Sequence, residues 1–265
     1  MRIGGVVIKK FFIILCSTII VLFGALVLSK WIANIVTDRL DTNTESEHFK
    51  IYYNLSDEKA IPDIKNRLEE NYERITTDLK QKLDEPVEVR IYPDLESFHR
   101  AAKVHSGRPF WWTATVSDWV VGTANGGIIR MVSPMNPGNS GHTYDGIVQI
   151  AVHEFTHIVS SKINTFGKPI PVLSEGIATF ESGQMNLLSV NSDLLPDSLE
   201  EMFSWNSSND PSKIYSCGGS FVAFIVENYG YDKFIELYKR DYTNNVFDED
   251  IKQIYDNWIL KIKSF

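Results

Sequence analysis

Ile147-Val148-Gln149-Ile150-Ala151-Val152-His153-Glu154-Phe155-Thr156-His157-Ile158-Val159 decides the fold of this chain, because it reads as a mostly buried helix with polar groups set into it. Ile147, Ile150, Ala151 and Phe155 follow i, i+3, i+4 steps. No Pro or Gly lies between Ile147 and Lys162, while Pro137, Gly138 and Gly141 precede the run and Gly167, Pro169 and Pro171 follow it. The spacing predicts one helix of about five turns. Two His and a Glu on such a helix need compensation for lost hydration, and a metal ion supplies it.

His153 and His157 stand four residues apart, so both imidazoles lie on one helix face and can reach one ion. Glu154, beside the first His, is placed to hold and deprotonate a metal-activated water. HExxH arises by chance in roughly one chain of this length in a few hundred, so its surroundings must decide. A tetrahedral catalytic site needs a third protein ligand and an open position. Pro171 to Glu181 reads as the start of a second helix, with Leu173, Ile177 and Phe180 on its apolar side. Glu175 lies on it, far enough past His157 for a helix end, a loop and a return. A solvated first-turn glutamate is the plainer use of that residue; beside HExxH, a ligand is the stronger one.

HEFTH followed by SEGIA resembles the gluzincin metallopeptidases, specifically the small Peptidase MA-like proteins. The likeness extends weakly over residues 47 to 260, through Phe49–Tyr53, the amphipathic stretch to about Leu83, Val87–Tyr92 and Tyr215–Gly230. The resemblance implies zinc ligands at His153, His157 and Glu175, one catalytic Zn2+, and Glu154 as general base. It also implies a donor to the developing oxyanion from the C-terminal helices, for which Tyr215 is the candidate; a core or rim tyrosine is the simpler role. His142, just before the helix, is a weaker candidate. Some gluzincins place an Asp four residues after the third ligand to orient a histidine. Thr179 stands there, so what orients these imidazoles is open. Thr123-Ala124-Asn125-Gly126-Gly127 lacks the acidic residue of the aminopeptidase segment, which favours an endo- or oligopeptidase acting on peptide or protein substrates.

From Phe11 to Ser29 run 19 residues without a charge, preceded by Arg2, Lys9 and Lys10. That length spans a hydrocarbon core, whereas a secretory apolar region is usually about 7–15 residues. An uncleaved signal anchor is therefore expected in preference to a cleaved signal peptide. Leu15 before Cys16 argues against a lipoprotein. The basic residues keep the N-terminus cytoplasmic. The expected organisation is a cytoplasmic tail (1–10), a transmembrane anchor (11–29), a linker (30–46) and an extracytoplasmic catalytic domain (47–265).

Residues from Asp38 onwards hold all 34 acidic residues but 22 of the 26 basic ones, a net charge of −12. Nucleic acid and anionic lipid are poor partners for such a surface. Cys16 in the anchor and Cys217 outside it cannot pair, so no internal disulfide is expected.

The expected fold is α+β: a small N-terminal sheet with helices, the zincin-like active-site helix, a mostly helical C-terminal part, and the N-terminal transmembrane helix. Phe49–Tyr53 and Val87–Ile91 read as strands, Pro62 to about Leu83 and Leu95–Val104 as helices. Trp119–Gly122 and Gly127–Val132 read as a hairpin. Its second strand suits either an ordinary core position or an edge that pairs with an extended substrate. Phe110-Trp111-Trp112 suits core packing, a covering loop, a subsite or a membrane contact. An inactive metal-binding or scaffold protein is the alternative function, and intact Glu154 argues against it.

Overall fold

A computed structural model of the protein describes residues 3–37, 39–106, 115–163, 169–184, 190, 192–206, 211–239 and 246–264. Phe110-Trp111-Trp112 lies outside these residues. The described residues form an α+β fold with one five-stranded sheet and eight α-helices.

Helix α1 (Ile3–Thr37) contains Phe11–Ser29, which by length and composition can cross a membrane or serve as a signal sequence. Its apolar side chains in that stretch are mostly exposed. Strand β1 (Thr42–Glu45) follows and pairs antiparallel with β2 (Phe49–Tyr53). Residues 42–45 belong to the segment expected to be a linker. They instead form an edge strand, because a polar TNTE segment satisfies its backbone on β2 while its side chains alternate between half-buried and exposed.

Helix α2 (Ile61–Asp78) carries β2 over to the parallel strand β3 (Val87–Tyr92). It buries Ile64, Leu68, Tyr72 and Ile75 at helical spacing, as expected, but ends before Leu83. Lys80 takes φ 54, and Gln81 N donates to Thr76 O at 2.9 Å, which closes the helix. Helix α3 (Leu95–His105) is capped by the Asp94 side chain. The hairpin is β4 (Gly122–Asn125) and β5 (Ile128–Val132), turned at Gly126 and Gly127, both at positive φ. Its first strand starts three residues later than Trp119.

The sheet order is β1-β2-β3-β5-β4, with β2, β3 and β5 parallel. Strand β5 is therefore interior, hydrogen-bonded on both sides, and cannot accept a further strand. Strand β4 is the edge on that side, and β1 the edge on the other. Helix α4 (Tyr144–Ser160) covers one face with α2: Phe155 meets Phe49 edge-on at 5.1 Å and stacks on Tyr72 at 5.5 Å. Tyr92, of opposite strand parity, packs near Phe98 of α3.

After α4 the described residues are mostly helical: α5 (Pro171–Glu181), α6 (Leu199–Ser204), α7 (Pro211–Lys239) and α8 (Ile251–Lys263). Gly230, at φ 79, breaks α7 into two helical segments. Helices α5 and α7 touch backbone to backbone. A Cβ at Gly176 would lie 2.5 Å from Gly218 O, and one at Gly218 would lie 2.7 Å from Val172 O. Only glycine permits this crossing.

Candidate metal centre

Helix α4 is started by Thr143, whose hydroxyl accepts from Gly146 N at 3.1 Å, and it packs on the sheet with most residues from Ile147 onwards buried. His153 and Glu154 are 4% and 7% exposed. Helix α5 returns alongside and presents Glu175. Three ligand atoms converge: His153 Nε2 to His157 Nε2 is 3.1 Å, His153 Nε2 to Glu175 Oε2 is 3.3 Å, and His157 Nε2 to Glu175 Oε2 is 3.4 Å.

This triangle fits a tetrahedral ion. A tetrahedron's edge is about 1.63 times its bond length, so bonds of ~2.0–2.1 Å require edges of ~3.3–3.4 Å. His153, His157 and Glu175 can therefore hold a metal ion together. The Gly176–Gly218 crossing matters here. It docks α5 against α7 one residue from Glu175 and three residues from Tyr215, so one close packing contact sets both side chains.

The charges are strongly coupled. Burial pulls the His157 pKa down, but the charge and hydrogen bond of Glu175, with Glu154 adding, lift it to about 9. Burial pushes Glu175 up, yet the two imidazoles hold it far below the usual carboxylate range. Glu154 goes the other way: burial raises it, with His157 and His153 opposing and Glu175 reinforcing. Tyr215 is raised first by burial and then by Glu175 and Glu154, so its phenol stays protonated. Its ring lies 5.9 Å from that of His153 and 6.1 Å from that of Trp119.

All of these groups line a single cavity of about 770 Å3, walled on one side by Val120 to Ala124. Gly122 of β4 lies against the general-base candidate. A Cβ there would fall 2.8 Å from Glu154 Oε1 and 2.5 Å from Ile150 Cγ2. His142 lines the cavity with its Nε2 3.0 Å from Trp119 O, a contact that holds the strand approach to α4. Thr123 and Ala124 also face the cavity, while Asn125 caps the hairpin and donates to His105 O at 2.7 Å.

Residues missed in the sequence supply the orientation that Thr179 does not. His153 Nδ1 lies 3.0 Å from Gln184 Oε1, and the Thr179 hydroxyl is buried without a partner among the described residues. His157 Nδ1 has the Ser174 hydroxyl at 3.5 Å, the outer limit of hydrogen bonding, and Ser174 contacts Tyr238 OH at 3.4 Å. Gly183 was the available signal, since a glycine just past a helix marks a chain reversal that turns the next side chain back. The chain matches no protein-family model and no curated protein.

Proposed function

We propose that this chain is a zinc-dependent peptidase, its catalytic domain tethered to a membrane by α1. The observation that carries the reading is the triangle of His153 Nε2, His157 Nε2 and Glu175 Oε2, with Glu154 on the same cavity wall. Two imidazoles and one carboxylate with room for a fourth ligand suit Zn2+, and the resemblance of HEFTH and SEGIA to the gluzincins points the same way.

A bound Zn2+ would supply Lewis acidity, both to acidify water and to polarise a carbonyl. The protein's own groups do the rest. Glu154 takes the proton of the attacking water and passes it to the leaving amine, and a buried carboxylate with a raised pKa is suited to both steps. Tyr215 keeps its proton and donates to the developing oxyanion. Edge strand β4 runs along the cavity with no further strand beside it among the described residues, and an extended peptide can add there. The cavity carries no acidic group at Thr123–Gly127 for a free amine, so an endo- or oligopeptidase is favoured over an aminopeptidase.

The test is peptide-library cleavage by the full chain in detergent, with Zn2+, with a chelator, and as Glu154→Gln. Cleavage should need Zn2+ and fall ~10²–10⁴-fold in Glu154→Gln with metal content unchanged. A wild-type chain that binds Zn2+ but cleaves nothing would support the metal-binding or scaffold alternative.

A further inference from the structure

We infer that Gln184 is the positioning residue of this centre: its amide oxygen fixes the His153 ring with the Nε2 lone pair turned toward the metal. The inference rests on the metal reading of His153, His157 and Glu175.

The distance is 3.0 Å, between His153 Nδ1 and Gln184 Oε1. A neutral imidazole has one N–H and one lone pair. When Nδ1–H donates to the amide oxygen, Nε2 is the free acceptor, and Nε2 is the atom that meets His157 and Glu175. The opposite amide orientation would offer an N–H to Nδ1 and force the proton onto Nε2, where no metal could bind. The Ser182 hydroxyl lies 3.0 Å from the same Oε1 and 3.2 Å from Thr179 O, and can give its proton to either.

Gln184 is exposed at the cavity mouth, so its placement must come from its backbone. Gly183 sits at φ 72, with Gly183 N donating to Phe180 O at 3.0 Å and Gln184 N donating to Thr179 O at 3.1 Å. These paired bonds are those of a Schellman turn. The turn is fastened from three other helices. Gln149, one turn before His153 on α4, donates to Ser182 O. Arg74 of α2 and Tyr231 of α7 both bond the buried Glu181 carboxylate, Tyr231 at 2.6 Å. A surface glutamine with no task would not need such a mount.

An amide is a weaker acceptor than the carboxylate often found behind a liganding histidine, so it leaves the imidazole a softer donor. Two variants test this in the full chain in detergent, with Zn2+ affinity measured by chelator competition and the visible spectrum of the Co2+ form. Gln184→Leu should lose ~10–100-fold in Zn2+ affinity and alter the Co2+ spectrum. The thermal midpoint of its metal-free form should match the wild type. Gln184→Glu, which keeps an acceptor, should bind at least as tightly as the wild type. Wild-type affinity in Gln184→Leu overturns the inference, as does an equal loss in both variants. A wild-type chain that binds no Zn2+ overturns the metal reading itself and this inference with it.

Discussion

Gly122 and Glu154 are in contact across the cavity, with no room for a β-carbon between the strand and the carboxylate. In Gly122→Ala the new methyl would meet both Glu154 Oε1 and Ile150, so the carboxylate must swing or the strand must retreat. Turnover should fall on the order of 10²-fold, as for other ångström-scale misplacements of a catalytic group. Metal content should hold, because the atoms nearest the new methyl belong to Ile150 and Glu154, neither of which is a ligand candidate. Steady-state kinetics with metal analysis checks this, and full turnover in the variant would refute the contact.

Gly176 and Gly218 form the crossing that seats Glu175. Either glycine changed to Ala drives a Cβ into a carbonyl oxygen at 2.5–2.7 Å. Overpacking of this kind typically destabilises by about 1–3 kcal/mol. Because Glu175 is the next residue to Gly176, Zn2+ affinity should weaken together with the melting temperature. Thermal denaturation with and without Zn2+ reads both effects, and a variant that melts lower but binds Zn2+ normally would separate the packing contact from the ligand.

Tyr215→Phe removes the hydroxyl and leaves the ring in place, tilted by 58° against that of His153. Loss of one oxyanion donor costs roughly 10²–10³ in kcat. KM should change little and Zn2+ binding not at all. A kcat within twofold of wild type would assign Tyr215 to the cavity wall alone.

Glu69 gives a prediction about pH that is independent of the metal. Its carboxylate accepts from His48 N at 3.0 Å and meets His48 Nδ1 at 2.7 Å. Burial pushes its pKa up, but hydrogen bonds from Ser46 and His48 outweigh that and leave it below the ordinary 4.5. A depressed carboxylate stabilises the fold above its unfolded pKa and loses that contribution as pH falls through its folded pKa. Glu69→Gln should therefore be less stable by about 0.5–1 kcal/mol at pH 7, with the gap closing below pH 4.5. Urea titrations at pH 7 and pH 4 measure it; a gap of equal size at both values would contradict the assignment.

The parts of the site that sequence could reveal are those set by spacing along one helix. His153, Glu154 and His157 needed only the 3.6-residue repeat, and Glu175 followed from the need for a third ligand on the next helix. Gln184, Ser174 and the Gly122–Glu154 contact each join two elements, and no local periodicity encodes which residues meet across such a gap. The sheet shows the same division. The strands Phe49–Tyr53 and Val87–Tyr92 alternate buried and half-buried, and their pattern was readable. That β5 lies inside and β4 at the edge depends on β3 pairing with β5, a partnership between residues some forty positions apart. Strand β1 escaped for another reason: its composition is that of a linker, and only its partner makes it a strand.

That strand has a mechanical consequence. Thr37 ends α1 and Thr42 opens the sheet, so only four residues of sequence, 38–41, separate them. At about 3.6 Å per residue that sequence can span at most ~20 Å. The helical stretch beyond Ser29 adds a stalk of roughly 12 Å at 1.5 Å per residue. If Phe11–Ser29 crosses a membrane, so short a connection holds the sheet and its cavity close to the bilayer surface.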